Sequence, residues 1–155
     1  MKKILALILV ATLGTFAAHA RIGETFDQVT KRYGEGRKQN CDRLPGAEQY
    51  NFVKNPFAIE VILLDGKSVM EVVHRVEGPH ISDDEIKELL KVNGDGHTWS
   101  LDRKDNQWMR NDHKVRAFHQ PGHHDYFFIE DVAATKQARV SDWLGGGTAA
   151  GARTL

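Results

Sequence analysis

The sequence predicts an α+β domain, with two short helices packed on antiparallel sheet as a tandem helix-plus-meander repeat. Three observations predict it. Two segments carry complete helix-start signals, Thr25 with Gln28 and Ser82 with Glu85. Each closes on a glycine-bearing stop, Gly34-Glu35-Gly36 and Gly94-Asp95-Gly96. Each is followed by short apolar runs divided by turn residues, the signature of antiparallel strands. The capping residues are 57 apart and the terminal glycines 60 apart. That spacing defines repeats at 21–77 and 78–131 within one α+β domain, 21–131.

Residues 1–20 stand outside that domain. Lys2 and Lys3 precede an apolar run, Ile4 to Ala17, and Ala18-His19-Ala20 is an A-x-A cleavage site. This is the pattern of a secretory signal peptide cut before Arg21. The run is shorter than the ~20 apolar residues that a membrane span needs. No cysteine follows it, so the signal is not that of a lipoprotein. No later segment is apolar enough to span a bilayer. The mature chain is therefore expected in the periplasm or outside the cell.

That mature chain holds 135 of the 155 residues, suited to one domain. Without Lys2 and Lys3, its 19 basic residues face 21 acidic ones. A near-neutral chain with no basic block gives no electrostatic reason to expect nucleic acid. Cys41 is the only cysteine, so no internal disulfide can form. A tolerated or buried thiol is the expectation there.

The first helix runs from Thr25 to Gly34, with Phe26, Val29 and Tyr33 on one side. At about nine residues it needs tertiary packing to persist. The polar run from Glu35 to Gly46 reads as loop. Gln49 to Lys54 is the first strand, and Asn55-Pro56 breaks it. Phe57, Ile59, Val61 and Leu63 alternate with Ala58, Glu60, Ile62 and Leu64, so that strand is buried on much of both faces. Asp65-Gly66 is a hairpin signal. Lys67 to Val76 returns, with Met70, Val72 and Val76 on one face.

The second helix is the best-marked element. Ser82 and Glu85 form the capping box, and Ile81 and Ile86 form a hydrophobic staple. Asp83, Asp84 and Glu85 complement the positive end of the dipole. Ile86, Leu89, Leu90 and Asn93 share a face, and Gly94 is expected to supply a left-handed stop. Strands follow at Thr98–Leu101, Gln107–Arg110, Lys114–His119 and Asp125–Glu130. In the turn Asn111-Asp112-His113, His113 stands where glycine is usual. Gln120-Pro121-Gly122-His123 fits a type II turn. Residues 132–144 form a C-terminal extension of helix formers with Val140, Trp143 and Leu144 at helical spacing. Residues 145–155, rich in Gly, Ala and Thr, are expected to be a disordered tail.

The opening Ile22-Gly23-Glu24-Thr25…Val29…Arg32-Tyr33-Gly34, with Ser82…Glu85-Ile86…Leu89-Leu90, resembles small exported bacterial proteins that begin R-x-G-E-T…R-Y-G and continue as a strand meander. More distantly, the helix-then-sheet pattern over Ile22 to Glu130 is similar to the outer-membrane-assembly lipoproteins of the BamE/SmpA family and to secreted β-lactamase-inhibitor proteins. The resemblance implies a module that binds another envelope or extracellular protein and catalyses nothing. The chain departs from the assembly lipoproteins in lacking a lipidation cysteine. It departs from the inhibitors in lacking paired cysteines.

Candidate chemistry is sparse. Seven histidines remain in the mature chain, four of them within His113 to His124. His119, His123 and His124 flank the Pro121-Gly122 turn, and imidazoles so placed, with Asp125 beside them, form a ligand set for zinc or copper. Against this, the spacing matches no structural zinc pattern. No H-E-x-x-H, G-x-S-x-G or Walker sequence is present. Glu130 and Asp131 cannot act as a carboxylate pair if they lie in a strand, where neighbours point to opposite faces. Trp99, Trp108 and Trp143 could line a binding surface, but packing of a modest core is the expectation, since aromatics favour strands. The reading is thus an exported, non-enzymatic binding or interaction module of the cell envelope. The alternative is a periplasmic metal-binding protein using the histidine-rich hairpin.

Overall fold

The computed structural model describes residues 21–78, 80–120 and 123–145, with residues 120, 123, 124 and 141–145 described by backbone alone. The expected signal peptide, the Pro121-Gly122 turn and residues 146–155 lie outside these.

Helix α1 (Phe26–Tyr33) starts as its sequence dictates. Gln28 N–H donates to Thr25 Oγ1 at 3.4 Å, and Thr25 N–H donates to Gln28 Oε1 at 2.9 Å. Gly34 ends it at a φ of 90°, where a side chain would be strained. Val29 and Tyr33 form its buried side.

Four strands follow rather than three: β1 (Arg37–Gln39), β2 (Glu48–Lys54), β3 (Phe57–Leu64) and β4 (Lys67–Arg75). The loop expected over Glu35 to Gly46 therefore contains a strand. β1 is fully exposed and carries no alternating pattern to read. It is a strand because it pairs with β2, Lys38 opposite Tyr50. Gly36 permits the approach, since a Cβ there would stand 2.4 Å from the Phe52 ring. β4 stops at Arg75, which leaves Val76 exposed instead of on the face of Met70 and Val72. Asp65 at φ 51° and Gly66 at φ 75° make the tight turn between β3 and β4.

Helix α2 (Asp83–Asn93) carries the expected capping box. Ser82 N–H donates to Glu85 Oε2 at 2.8 Å, and Glu85 N–H donates to Ser82 Oγ at 3.3 Å. Ile81 and Ile86 are both buried. Its end corrects the sequence reading, because Gly94 is right-handed, at φ −68° and ψ −36°. The last carbonyls are instead met by distant donors. Trp99 Nε1 donates to Leu90 O at 2.7 Å, and Arg110 Nη1 donates to Asn93 O at 3.2 Å. Gly94 is needed for space, since a Cβ would meet His97 O at 2.9 Å.

Strands β5 (Trp99–Asp102), β6 (Gln107–Arg110), β7 (Val115–Gln120) and β8 (His123–Asp131) form a second meander, and helix α3 (Val132–Gly145) closes the described chain. His113 takes φ 59° in the β6–β7 turn, as its glycine-like position predicts. The eight strands make one antiparallel sheet in the order β1-β2-β3-β4-β8-β7-β6-β5. The two meanders meet at the centre, where Met70 faces Glu130 and Val73 faces Phe127.

One face of the sheet carries the larger core. Phe52, Ile59, Val61, Leu63, Val73 and Phe127 pack there against Val29 and Tyr33 of α1 and Leu89 and Leu90 of α2. Burying each such side chain contributes about 1.5–3 kcal/mol. The opposite, outer face carries a smaller core in which Leu44 and Ala138 cover Ile62, Met70, Val72 and Phe128. Three helices rather than two are therefore packed on the sheet. The third was legible as helix formers but not as part of the core, because its contact with the outer face is made through small residues, Ala134 and Ala138. Among the described residues no helix is long and apolar enough to cross a membrane.

Candidate functional site

The N-terminal motif residues are tied into the fold. Gly23 N–H donates to Ser68 O at 2.7 Å, Ser68 N–H donates to Glu24 O at 2.8 Å, and Ser68 Oγ donates to Arg21 O at 2.7 Å. Glu24 forms an ion pair with Arg32. The Gly, Glu and Arg of this motif thus fasten α1 to β4, a structural task.

Of the three hairpin histidines, His119 alone has a described side chain. His119, half-buried on β7, sets its ring edge-on to Phe127 at 5.2 Å and to Trp108 at 6.2 Å. That places it in the aromatic layer under the helices. His123 and His124 lie on β8, and their side chains fall outside the described residues. A residue that the hairpin reading missed joins this end of the sheet: His80 Nδ1 contacts Asp125 Oδ1 at 2.5 Å. No local signal links the two, which are 45 residues apart. Among the described residues, no group of three or more His, Cys, Asp or Glu is placed to hold a metal ion. Cys41 packs beside the outer-face core. Trp99 and Trp108 pack against the larger core.

Two buried carboxylates stand on the central strands. Glu130 on β8 is fully buried on the outer face. Arg116 Nε and Nη2 donate to its Oε1 at 2.8 and 2.5 Å, and Arg139 Nη2 donates to its Oε2 at 3.4 Å. Asp131 points elsewhere and caps α3, with Ala134 N–H donating to its Oδ1 at 2.8 Å. The alternation that separates these neighbours in the sequence holds. Glu71 on β4 is 1% exposed and lies on the helix side, opposite Val61 and Ile129. Burial, then the nearby Glu24, pushes its carboxyl up to about 8 against the opposing pull of Arg32 and Asn93. Its signal in the sequence is a carboxylate inside the apolar run Val69-Met70-Glu71-Val72-Val73.

Two recesses open on the outer face among the described residues. One is a hollow of about 730 Å³ at the free ends of β1, β2 and β3, with Arg37, Asn51, Val53, Ala58, Glu60 and His74 around it. Val53 is 67% exposed there, and His74 Nδ1 is buried with no hydrogen-bond partner among the described residues. The other is a cleft beside α3 at Arg116. Comparison of the chain with protein-family models, curated proteins and solved structures returns no match. The reading of the site therefore rests on its chemistry. Both recesses join apolar surface to polar groups held by the sheet, an arrangement suited to binding.

Proposed function

We propose that the chain is an exported, non-enzymatic binding module of the bacterial cell envelope that holds another envelope or extracellular protein. The observation that carries this reading is the hollow on the outer face, which is unroofed among the described residues. Leu44 and α3 cover the sheet over β4 and β8 but not over the outer ends of β2 and β3. The hollow is built on rigid strands, so a partner would meet a preformed surface. Exposed Val53 supplies apolar area, and Arg37 together with Glu60, which forms an ion pair with Arg43, supplies polar groups at its rim. The order of elements supports the further reading that the chain is a tandem repeat. Each of α1 and α2 precedes four strands, both helices lie on one face, and the repeats join through β4 and β8.

The test is site-directed photocrosslinking in the native envelope. A crosslinker at Val53 or Ala58 should trap one discrete partner, and one at exposed Lys87 on α2 should not. Val53→Glu should remove the adduct formed from Ala58. Identical adduct patterns from the hollow and from Lys87 would sink the proposal.

A further inference from the structure

We propose that the cleft between α3 and β7 binds a small amphipathic anion, with a carboxylate or phosphate head on a short apolar body. The cleft encloses about 340 Å³ and is lined by Arg116, Val132, Thr135, Lys136, Arg139 and Val140. That lies at the lower end of the range for organic-ligand sites, about 300–1,000 Å³. Val132 and Val140 give it an apolar wall, extended by the aliphatic stems of the three cations. Val140 is 47% exposed, so part of this wall meets water.

The charge balance selects the head group. Three cations line the cleft, and two of them, Arg116 and Arg139, share one fully buried carboxylate, Glu130. Among the described residues two positive charges are left over at the mouth. The same carboxylate fixes the guanidinium of Arg116 through two hydrogen bonds, so its remaining N–H edge is preorganised. Lys136 is exposed and makes no ion pair among the described residues. An inorganic anion would satisfy the cations and leave the valines wet. A neutral apolar body would do the reverse. Only a ligand with both parts uses the whole cleft, and an anion held by fixed guanidinium groups gains charge-assisted hydrogen bonds.

The site is separate from the proposed protein-binding hollow, so either proposal can fail alone. Isothermal titration of the mature chain tests it, with octanoate and octyl phosphate below their micellar concentrations. Acetate, inorganic phosphate, octyl glucoside, octyltrimethylammonium and a glutamate-rich peptide serve as comparisons. Both octyl anions should bind at least about tenfold more tightly than every comparison. Lys136→Gln with Arg139→Gln should weaken them about tenfold or more. Val140→Glu, at an exposed position, should do the same by placing a carboxylate on the wall, and circular dichroism checks that both variants fold. Equal binding of octyl glucoside, of acetate or of the peptide overturns the proposal. So does unchanged octanoate binding in folded Val140→Glu protein.

Discussion

Glu71 and Glu130 sit one register step apart across the central strand pair, with their carboxylates on opposite faces of the sheet. Glu130 meets two guanidinium groups. Glu71 Oε1 has no hydrogen-bond partner among the described residues, and neither has buried Asn93 Oδ1 beside it. Two buried carboxylates so close together are thus handled in contrary ways. Glu130 is paired with Arg116 and Arg139, whereas burial raises the carboxyl of Glu71 and favours its neutral form.

The first prediction concerns Glu71. Its carboxyl is raised to about 8 in the folded chain, against about 4.3 when unfolded. Below the unfolded value both states hold the proton, and stability is complete. Between the two values only the unfolded state releases it, so stability falls as pH rises, by several kcal/mol at about pH 8 and above. Urea denaturation at pH 5, 7 and 9 should show this fall in the wild type. Glu71→Gln should flatten most of it and be the more stable protein at pH 9. An equal fall in both would mean that Glu71 is ionised when folded.

Glu130 should behave oppositely. Glu130→Gln leaves Arg116 and Arg139 facing each other without their shared carboxylate. The expected loss at neutral pH is about 2–3 kcal/mol, below the value for a fully buried pair because both guanidinium groups reach water. The urea midpoint reads it, and a change under about 0.5 kcal/mol, the scale of a surface substitution, would contradict the pairing.

Trp99→Phe keeps the packing of the ring and removes the N–H that meets Leu90 O. A carbonyl losing a partly buried partner costs about 1–3 kcal/mol. Amide exchange should accelerate in the last turn of α2, and not in α1. Uniform acceleration through both helices would show that the indole acts only through core packing.

For the hairpin of His119, His123 and His124, zinc and copper should leave the melting temperature unchanged. The His119 ring is engaged with Phe127 and Trp108, and the sequence spacing of the three histidines matches no structural zinc pattern. A metal-dependent rise of a size that saturating binding gives, about 2.7 kcal/mol at one hundred times Kd, would reverse this. It would have to vanish in a His119→Ala, His123→Ala double variant.

What the sequence by itself determined is what neighbours along the chain decide. Both capping boxes span three residues, the Asp65-Gly66 and His113 turns are set by local backbone conformation, and the alternation of Ile59, Val61 and Leu63 needs only the two-residue strand period. The two proposed recesses had no such signature. Arg37 and Val53 are 16 positions apart, Arg116 and Arg139 are 23 apart, and neither pair looks unusual in its own segment. Tertiary structure alone decided that β1 is a strand, because its pattern is polar throughout and only pairing with β2 satisfies its backbone. It decided that Gly94 stays right-handed, because Trp99 and Arg110 arrive from other strands to take the helix-end carbonyls. It decided that Glu71 is neutral, because β8, α1 and α2 close over the carboxylate and exclude the water that would otherwise solvate its charge.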